Sequence, residues 1–217
     1  MCAGCSIVWA SRCNARVACS LEPALISKIA GSATPIPGLK KTQRQNWALI
    51  FTDEASFRQD STLHTTWSRV GCPPEVPVTG QRKSVKILGA IELRKARFHY
   101  RPDTGFNACT YLAFLEQLAR SYRRQGAILI QDSASYHTDG DVWAWRDANR
   151  HWLEVHPLPS YSPELNPTER LWRYTRQTGT HNRYFPNEKE LSGTLSRVFG
   201  EMQSYPELIR PYLQSFL

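Results

Sequence analysis

Trp47-Ala-Leu-Ile-Phe-Thr52 runs directly into Asp53 and Glu54, and Ala127-Ile-Leu-Ile-Gln131 runs directly into Asp132. Short apolar runs of this kind are typical of strands buried inside a sheet. Carboxylates that follow neighbouring central strands can converge on one point outside the sheet. The two runs therefore predict a sheet in which Asp53 and Asp132 lie close together where their strands end.

The pattern around these runs alternates strands and helices. Between them we expect strands over Thr62–Trp67, Ser84–Leu93 and Arg94–Tyr100, and then a helix through Tyr111–Ala119. Further along we expect helix Asp141–Arg150, strand Leu153–Leu158 and closing helices over Asn166–Gln177 and Glu188–Gln203, with Trp143, Trp145 and Trp172 in the core. This order fits an α/β fold, a mixed sheet flanked by helices.

The composition limits the classes of protein to consider. Of the 217 residues, 41% are hydrophobic and 21% are charged, which excludes disordered and fibrous chains. No apolar stretch approaches the ~20 residues of a membrane span, so no membrane partner is expected. The formal net charge of +8, from 27 basic and 19 acidic side chains, favours a polyanionic partner such as nucleic acid.

Residues 1–45 differ from the rest. Cys2, Cys5, Cys13 and Cys19 crowd the start, but the wide spacing of the second pair argues against zinc. No secretory signal is found. We therefore expect a reducing, intracellular setting and no disulfides. A breaker-rich stretch over residues 31–38 follows a short helix expected near 21–30. We predict a tail or linker over residues 1–45 and one domain over 46–217.

A third acid can come from the segment between Pro159 and Trp172, where Glu169 and Glu164 are the candidates. Clustered carboxylates repel one another, so a cluster of three is stable when it is protonated or holds a hard cation. Oxygen-only ligands suit Mg²⁺ or Mn²⁺. Two such ions about 3.5–4 Å apart stabilise the attacking and leaving oxygens of a phosphoryl displacement.

Three blocks of residues carry a resemblance to a known family. They are Asp53-Glu54-Ala-Ser-Phe57 followed by Trp67-Ser-Arg-Val-Gly71, Gln131-Asp132-Ser-Ala-Ser-Tyr-His137, and Tyr161-Ser-Pro-Glu-Leu-Asn-Pro-Thr-Glu-Arg-Leu-Trp172. Their order and spacing resemble the DDE-type transposases of bacterial insertion sequences related to Tc/mariner. The resemblance covers residues 46–217.

The resemblance implies a ribonuclease-H-like fold, a five-stranded mixed sheet with helices on both faces. It implies that Asp53, Asp132 and Glu169 are the catalytic acids and hold two Mg²⁺ or Mn²⁺ ions. It also implies supporting roles for His137 and Asn166. The implied reaction is cleavage of DNA at transposon ends and transfer of the freed 3′-hydroxyl into target DNA, by a homodimer located in the bacterial cytoplasm at the nucleoid.

Each candidate also has a purely structural interpretation. Glu54 is the alternative to Asp53, and Glu164 to Glu169. Asn166 as the N-cap with Glu169 three residues later would form a capping box, in which the glutamate points back to the start of the helix. Arg170 and Arg173 are candidate contacts to DNA phosphates. In the structural interpretation they form a solvated face, with Arg173 paired to Glu169 one turn away.

The chain departs from the family pattern at two places. Ser133 stands where the family usually has asparagine, and no helix-turn-helix pattern is found in residues 1–45. These residues are therefore expected to be a truncated or foreign opening of the chain. Two other functions stay open: a catalytically idle fragment that only binds DNA or a partner, and a ribonuclease-H-like nuclease outside transposition.

Overall fold

The computed structural model describes residues 46–60, 62–72, 75–159 and 162–216, and a five-stranded sheet forms its centre. The strands are β1 (Ala48–Arg58), β2 (Ser84–Glu92), β3 (Arg97–Asp103), β4 (Ala127–Gln131) and β5 (Leu153–Pro157). The helices are α1 (Ala108–Tyr122), α2 (Gly140–Asn149), α3 (Pro167–Thr175), α4 (Glu188–Ser204) and α5 (Arg210–Leu213). The predicted mixed sheet flanked by helices is confirmed.

The sheet order is β3-β2-β1-β4-β5, with antiparallel pairing on one side of β1 and parallel pairing on the other. β4 pairs with β1 only over Ala48–Phe51, whereas β2 pairs with β1 from Ile50 to Arg58. The prediction that the first strand ends at Asp53 is wrong, because β2 extends β1 to Arg58. Asp53 instead lies just beyond the end of the parallel ladder, inside a longer strand.

The two faces of the sheet bury two separate cores. Alternate residues of β1 face opposite sides, since successive side chains of a strand do so. Leu49 and Phe51 pack with residues of α3 and α4, whereas Ala48 and Ile50 pack with residues of α1. The helices thus cover both faces, and each strand residue belongs to one core or the other.

Three of the helices begin at an asparagine. The side chains of Asn107, Asn166 and Asn187 accept a backbone N–H in the first turns of α1, α3 and α4, which satisfies donors that a helix start otherwise leaves unpaired. Within the described ranges, no helix has both the length and the apolar character that crossing a bilayer would require.

Three expectations need correction or lie outside the described residues. The strand over Thr62–Trp67 is wrong, since this segment forms no ladder and Trp67 is fully exposed. Its backbone bonds instead to the segment after α3, where the Asn182 N–H donates to the Thr62 carbonyl and Asn182 Oδ1 accepts the His64 N–H, so tertiary context overrides local preference. Trp143 is 66% exposed rather than in the core, whereas Trp172 is buried as expected. The tail over residues 1–45 and its short helix lie outside the described residues.

Candidate active site

Asp53 lies on the face of β1 that α3 covers. Its carboxylate accepts a hydrogen bond from the indole Nε1 of Trp172 at 2.9 Å. The indole is buried against Gly89, the β2 residue that pairs with Asp53. A side chain at Gly89 would overlap the indole ring. The missing side chain at position 89 therefore lets Trp172 hold the Asp53 carboxylate in one orientation.

Asp132 follows β4 directly, as the sequence predicts. Its Oδ1 accepts a hydrogen bond from the backbone N–H of Ala134 at 3.3 Å, and its side chain is 48% exposed. The ring Nδ1 of His137 lies 3.0 Å from the Asp132 carbonyl oxygen. These contacts form a turn that ends β4. The turn keeps the Asp132 carboxylate at the C-terminal end of this strand.

Glu169 is the third residue of α3, and its side chain is exposed. Asn166 caps this helix by accepting from the Thr168 N–H at 3.1 Å, as expected. The capping box is not formed, because the Asn166 N–H donates to the carbonyl of Pro163 at 3.0 Å. The Glu169 carboxylate therefore plays no part in the cap.

The three acids line one open cavity of about 330 Å³. Asp53 comes from β1, Asp132 from the end of β4 and Glu169 from α3, and Asn166 also forms part of the wall. Glu164 lines a neighbouring cavity and not this one. The structure thus brings together the three acids that the sequence separates by up to 116 positions.

The electrostatics of the cavity follow from this clustering. Burial raises the pKa of Asp53 to about 7, with Glu169, Glu54 and Asp132 adding to the rise and the Trp172 hydrogen bond opposing it. Burial and Glu54 also raise the pKa of Asp132. A hard cation would offset this repulsion. Carboxylate oxygens are the ligands that Mg²⁺ and Mn²⁺ prefer, and the three acids offer them from three elements around one cavity.

The raised pKa of Asp53 gives a pH dependence that can be measured. Between the ordinary value of 3.8 and about 7, the folded protein binds a proton that the unfolded chain has lost. Its stability without metal therefore falls as pH rises through this window. We expect Asp53→Asn to flatten that fall, as measured by urea unfolding in EDTA from pH 4 to pH 8. The exposed Asp141→Asn is the control, and an equal slope in Asp53→Asn and wild type would contradict the assignment.

Glu54 and His137 lie on the other side of Asp132. One ligand atom each from Glu54, Asp132 and His137 lie within 4.8 Å of one another. Glu54 Oε1 is 3.4 Å from His137 Nε2, and His137 Nδ1 is 3.4 Å from Asp132 Oδ1. Glu54 points to the face opposite Asp53 and does not line the cavity of the three acids. It is therefore a neighbour of Asp132 rather than a substitute for Asp53.

A basic groove adjoins the acidic cavity. This second cavity, of about 660 Å³, shares Asn166 and Glu169 with the first, and Arg170, Arg173 and Arg176 also line it. A cavity with carboxylates at one end and guanidinium groups along its wall can hold metal ions and phosphates side by side.

The two arginines predicted to contact DNA differ in their surroundings. Arg170 donates to the carbonyl of Tyr212 at 3.3 Å, and its guanidinium lies 4.6 Å from the ring centroid of Phe216. It therefore ties α3 to the C-terminal segment. Arg173 is exposed, and the ion pair with Glu169 that the structural interpretation offered is not formed between these two described residues.

Sequence reasoning missed the roles of Trp172 and Gly89 in holding Asp53. A signal for Trp172 exists, because residues three apart on a helix share a face and Trp172 follows Glu169 by three. No comparable signal marks Gly89, since its pairing with Asp53 is set by the strand register.

Comparisons with known proteins agree with this geometry. The family described as DDE superfamily endonuclease matches residues 48–192. The insertion element IS630 uncharacterized 39 kDa protein of Shigella sonnei is 24% identical over 135 residues, covering 62% of this chain and 39% of the relative. The transposable element Tcb2 transposase of Caenorhabditis briggsae is 28% identical over 146 residues, covering 62% of this chain and 53% of the relative. The chain thus spans about two fifths to half of the length of these relatives.

Solved structures share the fold. The catalytic domain of Mos1 mariner transposase superposes with a TM-score of 0.55 at 15% identity, covering 90% of this chain and 88% of that one. The Mos1 paired end complex with Mg superposes with a TM-score of 0.61 at 17% identity, covering 100% of this chain and 64% of that one. A pre-cleavage Mos1 transpososome superposes with a TM-score of 0.62 at 18% identity, covering 82% of this chain and 56% of that one. The sheet is therefore of the ribonuclease-H-like type found in Mos1. With its distant homology to IS630 and Tc/mariner transposases, this chain belongs to the DDE superfamily endonucleases.

Proposed function

We propose that residues 46–217 are a transposase catalytic domain that cleaves DNA phosphodiesters at transposon ends and transfers the strand into target DNA. The observation that carries this proposal is the single cavity lined by Asp53, Asp132 and Glu169. We further propose that these three carboxylates are the catalytic acids and hold two Mg²⁺ or Mn²⁺ ions. The Mos1 structure described as a paired end complex with Mg supports the choice of metal.

Two divalent ions at this site would stabilise charge on the attacking and leaving oxygens of an in-line displacement. The chain supplies the positions. Trp172 fixes Asp53 from one side, the turn at Ala134 fixes Asp132, and the Asn166 cap sets the start of the helix that carries Glu169. Because the carboxylates bind metal and do not attack phosphorus, no covalent enzyme intermediate is needed.

DNA is the proposed partner, and the basic groove beside the cavity is its proposed path. The pre-cleavage Mos1 transpososome and the Tcb2 transposase support transposon ends as the substrate. We also propose that the chain acts as a homodimer on paired ends. We propose a location in the bacterial cytoplasm at the nucleoid, and the Shigella sonnei relative supports the bacterial part of this proposal.

Arg173 is proposed to contact a DNA phosphate, and its replacement should change the salt dependence of binding. We expect Arg173→Ala to weaken binding of every duplex tested to a similar extent and to lower the slope of log K against log[salt] by about one, since one phosphate contact is lost. Fluorescence anisotropy across a salt series measures this. Arg150→Ala, which changes an exposed arginine directly after α2, is the control. An unchanged slope in Arg173→Ala would remove the arginine from the proposed path.

The proposed function is tested by a cleavage assay with Mg²⁺ or Mn²⁺. The substrates are a DNA duplex carrying the terminal repeats from the genomic flanks, a scrambled duplex and an RNA–DNA hybrid of matched sequence. We expect metal-dependent nicking at the repeat end with a free 3′-hydroxyl as product. Preference for the hybrid would favour a general nuclease, and no cleavage with either metal would favour an idle fragment.

A further inference from the structure

A buried acid and a buried histidine lie behind Asp132, on the sheet face away from the cavity. The side chains of Glu54 and His137 are 11% and 2% exposed. Glu54 Oε1 and His137 Nε2 are fully buried, face each other at 3.4 Å, and have no hydrogen-bond partner within the described ranges. Burying such groups costs free energy unless they interact, so their burial at this place calls for a role.

The surroundings of His137 fix its ring. Tyr111 and Tyr136 pack against it with ring centroids 4.4 Å and 4.6 Å away, and burial together with the nearby Glu54 carboxylate raises the pKa of the Tyr136 hydroxyl. The other ring nitrogen, Nδ1, lies 3.0 Å from the Asp132 carbonyl oxygen and 3.4 Å from Asp132 Oδ1. The imidazole is thus held between two carboxylates, one on each ring nitrogen.

We propose that Glu54 and His137 form a positioning pair for Asp132, in which Glu54 acts through the ring of His137 to hold the Asp132 carboxylate toward the cavity. This inference rests on the proposed function, because it assumes that Asp132 binds the metal. It assigns to Glu54 a role distinct from that of Asp53, its neighbour on the strand. Neither Glu54 nor His137 is a catalytic residue in this proposal, since neither lines the cavity.

The test measures Mn²⁺ affinity by isothermal titration and by the loss of the free-ion EPR signal. We expect Glu54→Gln, which keeps the shape of the side chain, to weaken Mn²⁺ binding by about 10–100-fold, as is usual for partners of metal ligands. The melting temperature of the metal-free protein should change little. A Glu54→Gln variant that binds Mn²⁺ as wild type does would overturn the proposal.

The fold contains a matched control. Glu92 is 1% exposed and accepts a hydrogen bond from the hydroxyl of Tyr122, which also contacts His99. This trio repeats the chemistry of Glu54, Tyr136 and His137 away from the acidic cavity. Glu92→Gln is therefore expected to leave Mn²⁺ affinity unchanged. An equal loss of Mn²⁺ affinity in Glu92→Gln and Glu54→Gln would mean that replacing any buried acid of the sheet weakens metal binding. That result would overturn the proposal that Glu54 and His137 position Asp132.

A double-mutant cycle tests whether Glu54 acts through His137. His137→Asn keeps an amide nitrogen near the position of Nδ1 but cannot reach Glu54. If Glu54 acts through the ring, adding Glu54→Gln to His137→Asn should cost no further affinity. If the fold losses in Mn²⁺ affinity of the two single variants multiply in the double variant, Glu54 and His137 act independently. That result would overturn the proposal that Glu54 acts through His137.

An NMR measurement on the metal-free protein accompanies the double-mutant cycle. Because Asp132 Oδ1 accepts the N–H of Ala134, the amide resonance of Ala134 should shift in Glu54→Gln but not in Glu92→Gln. An unmoved Ala134 resonance would count against positioning. Asp132→Asn separates this inference from the proposed function: wild-type Mn²⁺ affinity in Asp132→Asn overturns both, whereas wild-type affinity in Glu54→Gln alone overturns only the pair.

Discussion

Replacing Asp132 with asparagine should reduce metal-dependent DNA cleavage by more than the ~10–100-fold that follows loss of an outer partner of a metal ligand. Asparagine removes the charge but keeps Oδ1, so the hydrogen bond from the Ala134 N–H and the turn after β4 can persist. The loss should therefore appear without unfolding. Single-turnover cleavage of the terminal-repeat duplex, measured beside a thermal melt, gives both quantities.

The other two acids should behave in the same way for cleavage but differently for stability. Asp53→Asn is expected to lose cleavage while gaining stability at neutral pH without metal, because burial penalises the ionised carboxylate. The exposed Glu169→Gln should lose cleavage with little change in stability. Asp141→Asn controls for the change in net charge. Wild-type cleavage by any of the three variants would end the assignment of that residue.

Replacing Gly89 with alanine should be the most damaging small substitution in the sheet. The new Cβ would overlap Cη2 of Trp172 and lie 2.7 Å from its Cζ2. The indole cannot easily move, because Phe57 and Phe98 pack against it and its Nε1 is bonded to Asp53. We expect a loss of about 3 kcal/mol, at the upper end of the overpacking range. That corresponds to roughly 6–12 °C in melting temperature for a domain of this size.

The control for this prediction is a glycine-to-alanine substitution that should raise the stability of the protein instead of lowering it. Gly193 lies in α4, and a Cβ at this position would have open space around it, with no neighbouring side chain within 4 Å. Gly193→Ala should therefore stabilise the helix by about 0.5–1 kcal/mol. Trp172→Phe makes room for the new methyl, so the loss in the Gly89→Ala/Trp172→Phe double variant should be smaller than the sum of the single losses. Equal melting temperatures for Gly89→Ala and wild type would contradict the packing described here.

The central strands were predictable because their apolar runs are continuous. β4 is buried along its whole length and matches the run Ala127–Gln131. The extension of β1 to Arg58 was missed, although Ala55 and Phe57 alternate with exposed neighbours in the period of a half-buried strand. The strand predicted over Thr62–Trp67 does not form for a different reason. A local preference for β structure does not by itself provide a neighbouring strand to pair with.

The acids of the site were predictable as a set, but their geometry was not. Asp53, Asp132 and Glu169 line one cavity, and their roles as catalytic acids stay a prediction. The capping box that the structural interpretation offered for Glu169 does not form, because the Pro163 carbonyl takes the Asn166 N–H that the box needs. The separation of Asp53 from Glu54 follows from strand alternation and could have been deduced once β1 was known to continue.

Adjacent acids that leave one strand in opposite directions make β1 intolerant of changes in length. Inserting or deleting a single residue ahead of Asp53 would reverse the faces of one part of β1 relative to the other. Either Asp53 and Glu54 would exchange faces, or the apolar residues ahead of them would turn into the wrong core. Descendants of this chain should therefore accumulate insertions in connecting segments such as 62–72, while the first half of β1 keeps its length even where its residues drift.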